Sequence, residues 1–248
     1  MWMLLHGFTG SPRSWSPVIT QAKLDRPPLI PALAGHGRDW RSTEVESFET
    51  EVTRLLSLVS NAESPRLLCG YSMGARVALG LLARQPSAFD AAVLIGVHPG
   101  LSDETARTAR RDLDASRARL LRKEGVAAFV NAWEELPLFA SQRALCEETL
   151  TSQRQIRLSH DAEGLAHALE ILGLGEMPDY RAAMSSADTP ITLVTGSRDA
   201  KFSEIAGAIA EENAHVDVEL VDGIGHNVVL EKPAAIAAVL ERVEGRVR

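Results

Sequence analysis

Cysteine is scarce in this chain: Cys69 and Cys146 stand alone among 248 residues, with no CxxC pair and no Cys/His cluster of the kind that holds zinc. That pattern suits a reducing compartment and suggests no metal site. Long apolar runs are missing too. None approaches the roughly 18 residues that a membrane span needs, and Met1 leads into the apolar segment Trp2-Met3-Leu4-Leu5 without a basic n-region or signal-like h-region. Nor is there an excess of basic charge: 26 Lys and Arg against 33 Asp and Glu leave a net −7, which argues against general nucleic-acid binding. Repeats and low-complexity tracts are absent, and no stretch is polar enough to read as disordered. These absences together predict a cytoplasmic protein with no membrane insertion, no nucleic-acid partner, no cofactor and no metal, of open oligomeric state.

What remains is enough for a full core: hydrophobic residues make up 45% and charged residues 24% of the chain. Short apolar segments alternate with helical patterns from Trp2 to about Ile95, and the alternation resumes near Pro190. This signals an α/β fold, a doubly wound and mostly parallel sheet of about six or seven strands. Strands are expected near residues 2–6, 28–31, 66–70, 91–96, 190–195 and 216–221. Strand signals vanish between Gly100 and about Asp188. Helical patterns over Arg107 to Lys123, Gly125 to Trp133 and from Ser141 onward predict an inserted helical lid over the carboxyl ends of the strands. The expected organisation is a core in two parts, 1–99 and 188–248, around a lid at 100–187.

Gly70-Tyr71-Ser72-Met73-Gly74 directly follows the apolar run 66–69 and precedes the helical pattern 75–82. A turn this tight from strand to helix leaves no room for a Cβ on either side of a strained central residue, which explains the two glycines. The Ser72 hydroxyl is thereby pushed out over the sheet edge as a candidate nucleophile or base. Its partners follow in the order Ser, Asp, His. Asp199, in Gly196-Ser197-Arg198-Asp199, follows the β-branched run 190–194, and His226, in Gly223-Ile224-Gly225-His226-Asn227, follows the strand candidate 216–221. Both would project from carboxyl ends of strands, where open parallel sheets place ligands. An imidazole there can take the serine proton while the carboxylate fixes its tautomer. His6-Gly7-Phe8-Thr9-Gly10 follows the first strand, either as a simple turn or as the carrier of a Phe8 N–H that joins the Met73 N–H in an oxyanion hole.

Arg76 lies four residues after Ser72, on the same helical face. Either it is tied into a structural ion pair, or it meets a charged ligand. Residues 101–125 hold seven Lys or Arg against five Asp or Glu, a basic stretch in an acidic protein that a solvated helix face would also show.

The ordered set HGFTGSPRSW, GYSMGAR, HPGL, RxxRxxxD, WxxxPLFAS, GSRDAKF and GHN resembles the α/β-hydrolase superfamily, and within it most closely the branch of 2-succinyl-6-hydroxy-2,4-cyclohexadiene-1-carboxylate synthases of menaquinone biosynthesis. The resemblance implies an α/β-hydrolase fold and a lyase reaction, the elimination of pyruvate from 2-succinyl-5-enolpyruvyl-6-hydroxy-3-cyclohexene-1-carboxylate. It implies that Ser72, His226 and Asp199 act as a proton-abstracting triad, with Phe8 and Met73 as the oxyanion hole. It further implies that Arg76, Arg110 and Arg154 anchor a small polycarboxylate substrate, and that Tyr71 and Trp133 either shape the pocket or simply pack. A carboxylesterase or C–C hydrolase using the same triad is the alternative reading.

Overall fold

The computed structural model describes residues 1–185 and 188–247. Its sheet has five parallel strands in the order of the chain: β1 (Trp2–Leu5), β2 (Leu67–Tyr71), β3 (Ala91–Ile95), β4 (Ile191–Gly196) and β5 (Val216–Val221). Four of these are buried along their whole or nearly whole length, as a sheet covered on both faces requires. Alternate residues serve the two covering layers. Trp2, Leu4, Leu67, Cys69, Val93 and Ile95 pack beneath α1 (Ser16–Gln21), α9 (Val228–Glu231) and α10 (Pro233–Arg246). Met3, Leu5, Leu68, Ala92, Leu94 and Leu193 pack against α2 (Phe48–Ser57), α3 (Met73–Arg84) and α8 (Ala200–Glu212).

The expectation of six or seven strands needs correction, because the segment at 28–31 forms only a single bridge. Leu29 pairs with β1 through two hydrogen bonds, Leu29 N–H to Trp2 O at 2.8 Å and Leu4 N–H to Leu29 O at 2.9 Å. Pro27, Pro28 and Pro31 surround it, and proline has no N–H with which to extend a ladder. The topology is nevertheless doubly wound. From β1 the chain passes to Leu29 on one side and then crosses to β2 on the other, so the strand order reverses at β1. Ligands bind open α/β sheets at such a reversal, outside the carboxyl ends of the strands.

At the far rim, β5 is buried only at its two ends, Val216 and Val221. Asp217 pairs with Arg246 at 3.1 Å and Glu219 pairs with Arg242, both arginines coming from α10. Val218 and Leu220 on the same strand are exposed.

No strand intervenes between β3 and β4 among the described residues. The interval holds α4 (Glu104–Glu134), α5 (Glu147–Leu158), α6 (Ala162–Leu172) and α7 (Arg181–Ser185). The expected break between two helices at Gly125 appears as a kink in α4, where Gly125 takes φ 80°. Asp103 and Asp161 cap α4 and α6 by accepting the N–H groups of Ala106 and Gly164. Leu121, Phe129 and Val130 of α4 meet Leu165, Ala166 and Leu169 of α6 in a small core of their own. The expected boundary at 187 falls on residues 186–187, outside the described residues.

Candidate active site

Tyr71 ends β2 and Met73 begins α3, so Ser72 alone makes the turn. Its backbone sits at φ 52° and ψ −107°, a conformation that costs a residue with a Cβ about 1–3 kcal/mol. Glycine permits this locally. A Cβ on Gly70 would lie 2.5 Å from Gly74 O, and one on Gly74 would lie 2.2 Å from Leu5 O. The start of α3 can therefore close onto the end of β1, bringing Ser72 beside the loop that carries Phe8. As the first residue of α3, Met73 has an N–H with no intrahelical acceptor, available to negative charge.

The three residues singled out after β2, β4 and β5 meet. His226 Nδ1 lies 2.7 Å from Asp199 Oδ2, and His226 Nε2 lies 3.0 Å from Ser72 Oγ. The buried carboxylate holds the proton on Nδ1 and leaves the Nε2 lone pair for the serine hydroxyl. Asp199 and His226 are fixed from behind. Asp199 caps α8 with its other oxygen, 3.4 Å from Phe202 N. Glu231 accepts the N–H groups on both sides of His226, from Gly225 at 2.9 Å and from Asn227 at 3.3 Å. Gly96, at φ +58°, clears the ring: a Cβ there would stand 2.7 Å from His226 Cε1.

Three buried histidines support the Phe8 loop. His36 Nε2 accepts the Thr9 N–H at 3.2 Å, and His160, between α5 and α6, donates from Nε2 to Thr9 O at 3.1 Å. His6 Nε2 accepts the Leu33 N–H at 3.2 Å. His36 Nδ1 faces Ala34 O and His160 Nδ1 accepts the Gly37 N–H. Each imidazole thus has a donor on one nitrogen and an acceptor on the other, the pattern of the neutral ring. Burial depresses all three, His6 to about 4, and the neighbouring imidazoles add to the effect in His6 and His36.

Ser72 and His226 open into a cavity of about 190 Å³. Arg76, Arg110, Arg117 and Lys201 line it, and no Asp or Glu is among its lining residues. Arg76 is buried, and among the described residues it makes no ion pair. One guanidinium nitrogen donates to Leu172 O at 2.7 Å and sits 3.9 Å from Met177 Sδ. Burial, then the Arg110 charge, pull its pKa down to about 9, against the opposing pull of Asp114. Part of its wall is aromatic, with the Phe8 and Phe139 rings 5.3 and 5.7 Å from Trp133. Tyr71 also lines the cavity, its ring 5.5 Å from that of His226.

Arg154 is the expected anchor that the structure does not bring there. It is held by Glu134 and Asn131, its side chain is 38% exposed, and it is not among the residues lining the Ser72 cavity. One turn further along α5, Arg157 is enclosed instead. It donates to Glu134 Oε1 at 2.9 Å, stands 5.3 Å from the Phe139 ring, and lines an adjoining cavity of about 260 Å³ that shares Phe8, Tyr71 and Phe139 with the first. The inward face of α5 passes through Ile156 and Arg157. Sequence reasoning also gave no role to Arg117, Lys201 or His98. His98 Nδ1 accepts the Gly100 N–H at 3.2 Å. Burial, followed by the charges of Lys201 and Arg181, holds its pKa at about 4, so it faces the cavity as an uncharged donor. The signal for Arg117 lies in spacing, since it falls seven residues after Arg110 and three after Asp114 on one face of α4.

The profile of the alpha/beta hydrolase family matches residues 3–239. A 2-succinyl-6-hydroxy-2,4-cyclohexadiene-1-carboxylate synthase of Enterobacter sp. strain 638 is 35% identical, over 98% of this chain and 91% of its own length. A synthase of the same name from Klebsiella pneumoniae is 33% identical over 98% of this chain and 93% of its own. Among solved structures, that of MenH from S. aureus superposes with a TM-score of 0.93 at 30% identity, covering 99% of this chain and 93% of that one.

Proposed function

The chain belongs to the alpha/beta hydrolase family, and from that premise we propose that it is a carbon–oxygen lyase of menaquinone biosynthesis, a 2-succinyl-6-hydroxy-2,4-cyclohexadiene-1-carboxylate synthase. Its substrate is a small polycarboxylate, 2-succinyl-5-enolpyruvyl-6-hydroxy-3-cyclohexene-1-carboxylate. One observation carries the reading: the Ser72–His226 pair opens into a cavity bearing three arginines and a lysine with no acidic lining residue. An ester with an uncharged acyl chain has no use for guanidinium groups there, since burying them is costly. Three carboxylates on one ligand do, because each can take a charge-assisted, two-pronged pairing.

In this mechanism Ser72, with His226 drawing its proton to Nε2, removes the proton from the ring carbon bearing the succinyl group. The electron pair spreads onto the succinyl carbonyl oxygen, where the N–H groups of Phe8 and Met73 stabilise it. As the diene forms, the bond between ring carbon and enolpyruvyl oxygen breaks. His226 returns its proton to the departing group, which leaves as pyruvate. No acyl-enzyme forms, and no cofactor takes part. The insertion at 100–187 is the lid, and its closure over a charged ligand excludes water. The chain works in the cytoplasm, in keeping with its two free thiols.

The test is direct. The protein is incubated with the enolpyruvyl precursor while pyruvate and diene absorbance are followed, with a short p-nitrophenyl ester as control. Pyruvate release with weak ester cleavage is expected. Fast ester hydrolysis without pyruvate would instead make it a carboxylesterase or C–C hydrolase.

A further inference from the structure

Arg110, Asp114 and Arg117 lie along one face of α4, and the buried Asp114 carboxylate serves both arginines. Its Oδ2 accepts from Arg110 Nε at 2.7 Å and its Oδ1 from an Arg117 terminal nitrogen at 3.1 Å. One negative charge is thus shared between two guanidinium groups, with the buried Arg76 close enough to feel both Arg110 and Asp114. A net positive charge is left facing the Ser72 cavity. Arg117 is further held by the aromatic wall: its guanidinium carbon lies 5.1 Å from the Trp133 ring centre, and its side chain is 21% exposed. Trp133 itself buries an indole N–H that has no hydrogen-bond partner. A planar cation fixed on an aromatic face by one carboxylate oxygen retains four N–H donors, a geometry suited to a carboxylate on a ring that packs beside that face.

We propose that Arg117 is a specificity-determining residue, binding the carboxylate borne directly by the substrate ring while that ring packs against Trp133. This rests on the lyase reading of the same cavity and extends it. Asp114 is then a positioning residue, aiming Arg110 and Arg117 by occupying one face of each fork. The assignment to the ring carboxylate, and not the succinyl one, follows from the contact with Trp133, which with Phe8 and Phe139 forms the apolar side of the cavity.

The probe is 4-(2-carboxyphenyl)-4-oxobutanoate, a stable aromatic dicarboxylate, together with the carboxamide of its ring carboxylate and that of its chain carboxylate. Binding of each to the wild type, R117Q and R117K is measured by titration calorimetry. R117Q is expected to weaken the dicarboxylate and the chain carboxamide roughly 10- to 100-fold, and to leave the ring carboxamide unchanged. R117K, which keeps the charge and loses the fork, should fall between. Equal weakening of all three ligands, no weakening, or no binding of the dicarboxylate to the wild type would overturn the subsite. A wild type that binds the probe with this pattern yet releases no pyruvate from the enolpyruvyl precursor would retain the subsite and refute the reaction.

Discussion

Among the described residues Arg76 is a buried cation with no ion-pair partner, so the folded protein without ligand carries an electrostatic cost that a ligand should remove. Holding its pKa at about 9 instead of 12.5 disfavours the charged folded form by about 5 kcal/mol. Replacing it with methionine, similar in length and uncharged, removes that cost but strands the Leu172 carbonyl that Arg76 now satisfies at 2.7 Å, a loss of about 1–3 kcal/mol. Arg76→Met should therefore gain about 2–4 kcal/mol of stability, a rise of roughly 4–16 °C in Tm for a chain of this length. The same change should lower kcat/KM for the enolpyruvyl precursor by about 2–5 kcal/mol, the cost of leaving a buried carboxylate unpaired. Paired thermal melts and pyruvate-release assays read both quantities. The wild type should also gain stability as pH rises above about 9, where the unfolded chain holds a proton that the folded one releases, and the variant should lack that rise. A fall in Tm together with the fall in activity would refute the reasoning, because it would make Arg76 a structural strut.

Ser72→Ala should leave the melt within a few degrees of wild type while lowering kcat by at least about a thousandfold, measured as pyruvate release; retention of most activity would remove the base from the scheme. Gly96→Ala places a Cβ 2.7 Å from His226 Cε1 at a positive φ, and it should lower kcat roughly a hundredfold with little change in KM. Acid should weaken the fold through its neutral histidines. The folded pKa of His6, about 4, lies below the unfolded value of 6.5, so its contribution of about 3 kcal/mol is complete above pH 6.5 and is lost as pH falls toward 4. Melts across that window should show the decline in the wild type and a shallower one in His6→Asn.

Periodicity and turn chemistry carried most of this fold in the sequence. Short apolar runs closed by a nearby glycine mark β1 to β4, the alternation Val216-Asp217-Val218-Glu219-Leu220-Val221 marks β5, and the glycines around Ser72 mark its turn. The segment around Leu29 misled because apolar character promises a strand, whereas ladder formation needs donors that three nearby prolines cannot supply. Within the candidate site, Ser72, Asp199 and His226 were legible because each follows a strand, and a strand end fixes where a side chain emerges. The arginines were harder to read. On a helix, three residues separate the rim from the interior, so Arg154 and Arg157 cannot be told apart without knowing which face α5 buries. The support of the Phe8 loop by His36 and His160 was invisible for another reason. It joins side chains to backbone groups more than a hundred residues apart in one case, and hydrogen bonds to backbone leave no residue pattern.

The charged rim described at β5 bears on self-association. A second copy of that strand arriving antiparallel, in register about Val218, would set Asp217 against Glu219 twice over, and like charges directly opposed across a ladder repel. The opposite rim, short and hemmed by Pro27, Pro28 and Pro31, offers an incoming backbone few partners. Sheets of this kind grow into fibres by adding strands at such margins, and here both margins discourage the addition, even though Val218 and Leu220 would otherwise invite it.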